Sequence, residues 1–168
     1  MFPAGEFDGL AAGNEVHRKN LIETIEFAPD TLRRALNGLS DAQVETRYRN
    51  WTIRQIVHHI ADSHMNSYIR FKWALTEDEP TIKAYDESAW IELPDARIAG
   101  VGSSLLILEG LHRRWTVLLR AMTNHEFERT FQHPQTGESI RLSLALPYYA
   151  WHGRHHTAQI EWVRMNRL

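Results

Sequence analysis

The chain has 168 residues and a formal net charge of -2 with histidine neutral, which suits one ordinary domain and gives no global field to attract nucleic acid or an anionic membrane. It contains no cysteine, and this excludes disulfides, thiolate metal sites and a protein-thiol nucleophile together. The N-terminal stretch carries Glu6 and Asp8 but no basic run leading into an apolar core, and no segment approaches the roughly 18 consecutive apolar residues of a membrane span, so a cytoplasmic protein is expected.

In chain order, His17 to Asn37 carries apolar residues at helical spacing, among them Leu21, Ile25, Leu32 and Leu36, and Gly38 stands where a helix would stop. Pro29 lies inside this run and is expected to kink the helix or split it in two. Ser40-Asp41-Ala42-Gln43 reads as a cap opening a short helical turn. Thr52 is an N-cap candidate for a second helix over Ile53 to Leu75, which contains no Gly or Pro. A third helix is predicted from Ser103 or Ser104 to Met122, rich in leucine, and a fourth from Ser143 to Arg167 with Pro147 near its first turn.

Two connections remain. About two dozen residues with Pro80, Pro94 and Gly100 separate the second helix from the third. A crossover of that length lets consecutive helices run parallel. Phe131 to Leu142 reads as a small β-hairpin. The fold class expected is all-α: a four-helix bundle in one domain, with long crossover loops and a hairpin before the last helix.

Histidine occurs ten times, and six of these fall in two short stretches: His58, His59 and His64, then His152, His155 and His156. On a helix His152 and His156 stand one turn apart on one face, the arrangement of helical zinc sites. His155 could replace one of them, although its ring would lie about 100° round the helix from His156. Gln159 continues the His152–His156 face. On the second helix only one of His58 and His59 can point at a shared ion. His59 shares a polar stripe with Asp62, Ser63 and Asn66, as a solvated pocket inside a bundle requires. His58 is read as a surface histidine and His64 as a pocket wall or helix-surface residue. The tryptophans are read as core packing, with Trp73 and Trp90, beside Tyr85, as exposed apolar residues that serve a dimer interface or line the pocket.

These residues are familiar as a set. Trp51-Thr52-Ile53-Arg54-Gln55-Ile56-Val57-His58-His59-Ile60-Ala61-Asp62-Ser63-His64-Met65-Asn66, with Tyr149-Ala150-Trp151-His152-Gly153-Arg154-His155-His156, resembles the YfiT branch of the DinB-like proteins. Arg70-Phe71-Lys72, Leu75-Thr76-Glu77, Tyr85-Asp86 and His133-Pro134 extend the likeness, from Gly5-Glu6 nearly to the C-terminus. The resemblance implies a bundle holding one divalent ion, Zn2+ or Ni2+, with His59, His152 and His156 as ligands. It implies a homodimer acting on a small-molecule substrate, as a metal-dependent hydrolase or as a transferase using a low-molecular-weight thiol of the bacillithiol type. Two departures stand out. Tyr48-Arg49-Asn50 leads straight into Trp51 where the family has glycine, and Gln159 stands where histidine is common.

Three neutral imidazoles leave such an ion its full charge, so it can acidify water to a pKa of roughly 7 or stabilise a thiolate. Asp62 is the candidate general base, or else a partner that orients a ligand ring. Asn66, Arg70, Arg154 and Gln159 are the candidate substrate-binding residues, Arg70 and Arg154 by virtue of their charge. A metal-binding stress-response protein without turnover is the alternative. DNA binding is not expected, because no basic stripe appears.

Overall fold

The computed structural model describes residues 3–10 and 12–168. Helix α1 runs Glu15–Leu36, capped by the Asn14 side chain accepting from the His17 N–H. A 3-10 turn at Gln43–Glu45 follows, then two-residue strands β1 (Arg47–Tyr48) and β2 (Trp51–Thr52) paired antiparallel. Helix α2 spans Ile53–Thr76. The crossover holds the short helices α3 (Glu87–Trp90) and α4 (Pro94–Ile98), and α5 then spans Val101–Ala121. A short α6 (Asn124–Phe127), the hairpin β3 (Thr130–His133) and β4 (Glu138–Arg141), and α7 (Leu142–Arg167) complete the chain.

The four long helices are the expected ones, with ends moved by a residue or two. Around the bundle, α1 packs on α5 and α7, and α2 packs on the same two helices from the far side. Side-chain contacts give the directions. His58 reaches Ser104, His64 reaches His112 and Phe71 meets Trp115, so α2 and α5 ascend together. His59 meets His156, His64 meets His152 and Arg70 meets Tyr149, so α2 and α7 run opposite ways. The long crossover is what permits the parallel α2–α5 pair. It is fastened at both ends. The Ile82 N–H donates to the Gln132 carbonyl at 3.0 Å, and the Gln55 side chain donates to the Ile91 carbonyl at 3.1 Å.

The expectation that Pro29 splits the helix is corrected: α1 continues through it as one helix. A proline has no N–H, so the Ile25 carbonyl one turn back loses its intrahelical donor. The His112 side chain on α5 supplies a replacement, Nδ1–H donating to that oxygen at 2.5 Å. Pro147 repeats the device. It sits in the second turn of α7 rather than the first, and the Ser143 carbonyl it leaves free accepts the Ala12 N–H at 2.7 Å.

Apolar residues form two clusters, one around Ile25, Phe71, Trp115 and Leu146, the other around Leu32, Ile56, Leu108 and Ile160. On α2, α5 and α7 the residues between these clusters include His64, His112 and His152, so a polar layer crosses the bundle at mid-height. Among the described residues no helix is long and apolar enough to cross a membrane. At the entry to α2, Thr52 accepts the Gln55 N–H at 3.1 Å while the Gln55 side chain accepts the Thr52 N–H at 3.0 Å. This reciprocal cap sets the first turn of the helix that carries His59. Thr52→Ala should lower stability by about 1 kcal/mol, seen as a reduced urea midpoint at unchanged slope; an unmoved midpoint would show the cap to be dispensable.

Candidate metal centre

His59 projects from α2, two turns past the Thr52 cap, and His152 and His156 project from one face of α7. One ring nitrogen of each falls within 4.8 Å of the other two. The Nε2 atoms of His59 and His152 are 3.2 Å apart. A tetrahedral ion at roughly 2.0–2.1 Å from imidazole nitrogens spaces its ligands about 3.3 Å apart, so this pair already stands at chelating distance. Trp51 closes one side, edge-on to His59 at 4.7 Å and stacked on His156 at 6.2 Å.

The rings are held neutral. Burial pushes His59 down to about 4 and His156 to about 3. Burial, with the surrounding imidazoles adding to it, holds His152 well below its ordinary value. At neutral pH each therefore keeps a lone pair, which a cation needs. His156 Nδ1–H donates to Gln159 Oε1 at 2.9 Å, leaving Nε2 free, and Gln159 Nε2 donates on to His155 Nε2 at 2.8 Å. The residue that departs from the family pattern thus orients a candidate ligand. On the other flank His152 Nδ1 lies 3.3 Å from His64 Nε2, and His64 Nδ1 lies 2.8 Å from His112 Nε2.

A cavity of about 600 Å³ opens onto His152. Its walls come from α2 (Ser63, Arg70), the crossover (Tyr85, Glu87), the hairpin (His133, Glu138) and α7 (Tyr148, Tyr149). Arg70 donates to the Tyr149 hydroxyl at 3.0 Å. Among the described residues the buried Arg70 Nε and His133 Nδ1 atoms find no hydrogen-bond partner. A smaller cavity of about 220 Å³ reaches His156 from the side of the β1–β2 turn. In that turn Arg49 takes a φ of 54°, in the left-handed region.

The remaining expected residues fall as follows. Asp62 is half-buried and its carboxyl is raised to about 6, by burial first and by Asp95 of α4 second. It does not line the cavity. Asn66 donates to the Asp62 carbonyl at 2.9 Å. Arg154 is exposed, on a groove against α1 rather than on the cavity. His155 stacks on Trp151 at 4.7 Å. Two readings are corrected. His58 is buried, not superficial, because its Nε2–H donates to the Ala99 carbonyl at 3.1 Å and its Nδ1 lies 2.7 Å from the Ser104 hydroxyl. His64 is a fully buried core residue, not a helix-surface one. His112 escaped sequence reasoning altogether, although its place on the Leu105, Leu108, Trp115, Leu119 face marks it as inward.

Comparisons with known proteins bear on the family and the fold. Residues 24–160 match the DinB superfamily. The chain is 47% identical over 161 residues to a Bacillus subtilis protein named "Putative metal-dependent hydrolase YfiT", covering 95% of this chain and 90% of that one. It is 49% identical over 165 residues to a Bacillus cereus "Putative metal-dependent hydrolase", covering 97% and 94%. The solved YfiT structure, described as "a probable metal-dependent hydrolase with an unusual four-helix bundle topology", superposes with a TM-score of 0.93 over 98% of this chain and 95% of its own. A mycothiol-dependent maleylpyruvate isomerase shares the fold, with a TM-score of 0.68 at 15% identity over 85% of this chain and 60% of its own.

Burial of neutral imidazoles ties stability to pH. The folded pKa of His59, His112 and His156 lies below the ordinary 6.5, so between 6.5 and about 4 the unfolded chain binds more protons than the folded one. Stability therefore rises with pH across that window, and it is lost on acidification by about 1.4 kcal/mol per pH unit for each such group. The urea midpoint of metal-free protein should fall between neutral pH and about pH 5. A midpoint that holds steady or climbs would contradict this burial.

Proposed function

The chain belongs to the DinB superfamily, and from that premise we propose that it is a metal-dependent enzyme acting on a small molecule bound in the cavity beside His152. The observation that carries this reading is the set of three neutral, buried imidazoles with a nitrogen apiece inside 4.8 Å, at the end of a 600 Å³ cavity. His59, His152 and His156 are the proposed ligands. Three imidazoles suit either Zn2+ or Ni2+. When bound, such an ion supplies Lewis acidity, enough to bring the pKa of water to roughly 7 or to ionise a thiol outright.

The chain's own groups do the rest. Trp51 packs against His59 and His156 and forms one wall of the site. Arg70, anchored on Tyr149 with its Nε otherwise unpartnered, and His133, whose Nδ1 is likewise unpartnered, are placed to hold polar parts of a substrate. A buried polar atom that finds no partner in the protein is satisfied by a ligand or by water. Of the candidate substrate residues, Arg70 is the one on the cavity wall, and Gln159 acts through His156.

Two reactions fit. Hydrolysis is what the names of the Bacillus relatives support. Transfer of a low-molecular-weight thiol is favoured by Asp62, which shares its surroundings with Asp95 instead of lining the cavity as a general base would. In thiol transfer the co-substrate brings the nucleophile, and no carboxylate base is needed.

Metal content of untagged protein, measured by mass spectrometry, tests the reading. Near-stoichiometric metal is expected in the wild type and none in His59→Ala or His156→Ala. Small electrophiles should be turned over by the metal-loaded protein, without added thiol if it hydrolyses and only with thiol if it transfers. A wild type that takes up neither zinc nor nickel would overturn the metal site and the reading with it, whereas one that is loaded and inert to both assays would leave the non-catalytic metal-binding alternative.

A further inference from the structure

We propose that His64 and His112 are positioning residues that lock His152 as the Nδ1–H tautomer, with Nε2 turned to the metal, through a chain of hydrogen bonds anchored on the Ile25 carbonyl. The inference rests on the metal-centre reading above and concerns what prepares one ligand.

The polarity of the chain follows from its far end. A carbonyl oxygen can only accept, so His112 must donate to Ile25 from Nδ1, over 2.5 Å. A neutral imidazole carrying its proton on Nδ1 has a lone pair on Nε2. His112 Nε2 therefore accepts, and His64 must donate to it from Nδ1, over 2.8 Å. The same step repeats: His64 Nε2 accepts, and His152 donates to it from Nδ1, over 3.3 Å. His152 is left with a bare Nε2, the atom that faces His59. One carbonyl thus fixes three tautomers in series, and ring orientation is fixed with them.

Two features show that this chain is built into the fold. The Ile25 oxygen is available because Pro29, one turn on, has no N–H to offer it. His64 and His112 are 0% and 1% exposed, so water does not compete for their nitrogens. The chain ends on a carbonyl buried in the core, so it offers no exit for a proton. Its work is orientation, and a ring nitrogen that donates to a partner makes its metal-binding nitrogen more basic.

Two measurements test this. In metal-free wild type labelled with 15N-histidine, long-range 1H–15N correlation should show His152, His64 and His112 all as Nδ1–H tautomers; an Nε2–H tautomer at His152 overturns the proposal. Co2+ is the probe for the second. Relative to wild type, His64→Leu should bind Co2+ about 10–100-fold more weakly, with a changed visible spectrum. His64→Gln, whose amide oxygen can still accept the His152 proton, should recover most of the affinity. If the wild type takes up no Co2+, the metal centre fails and the positioning role goes with it. If the wild type binds and His64→Leu matches it in affinity and spectrum, the positioning role alone is overturned. Should His64→Leu fail to fold, the wild-type tautomers decide.

Discussion

Five imidazoles, those of His59, His64, His112, His152 and His156, are buried at mid-height of the bundle, and a buried polar ring is costly unless it finds a partner in the protein. The fold meets that demand in two different ways. His64 and His112 use both nitrogens within the protein, passing a hydrogen bond from ring to ring until it ends on a backbone carbonyl. His152 and His156 use one nitrogen in this manner and keep the other for His59. What the protein leaves unsatisfied is thereby concentrated at one point, and that point is where a cation fits.

The backbone takes part. A proline inside a helix ordinarily signals a break, yet α1 continues through Pro29, and the orphaned carbonyl becomes the anchor for His112. A local defect in one helix is thus compensated by a side chain from another. The long crossover contributes at a larger scale. By allowing α2 and α5 to ascend in parallel, it sets His64 opposite His112, and it then returns over the open side of the bundle to form part of the cavity wall.

Much of this could be read from the sequence, and the reasons for success and failure are physical. The Thr52 cap, the apolar stripes and the turn residues are local signals, and the four helices and the hairpin followed from them. The His152–His156 pair followed from helical spacing alone. His59 could be separated from His58 by its polar stripe and by the family likeness, but not by geometry within one helix. What stayed hidden depends on partners far away in sequence. His58 looks superficial until the Ala99 carbonyl and Ser104 arrive from the crossover and α5. Pro29 looks disruptive until His112 is known to face Ile25. His112 itself sits on an ordinary leucine-rich face, and only the depth of that face in the fold gives it a polar role. The cavity wall, drawn from four separate segments, has no signature in any one of them.

The claim on which the account depends is that the three nitrogens of His59, His152 and His156 converge on one cation. X-ray diffraction from zinc-loaded crystals, collected on both sides of the zinc absorption edge, tests it most directly. The account predicts a single anomalous peak bonded to the Nε2 atoms of all three histidines at roughly 2.0–2.1 Å, with His152 still hydrogen-bonded to His64. A peak bonded elsewhere, or a loaded crystal in which the three rings turn away from one another, would contradict it.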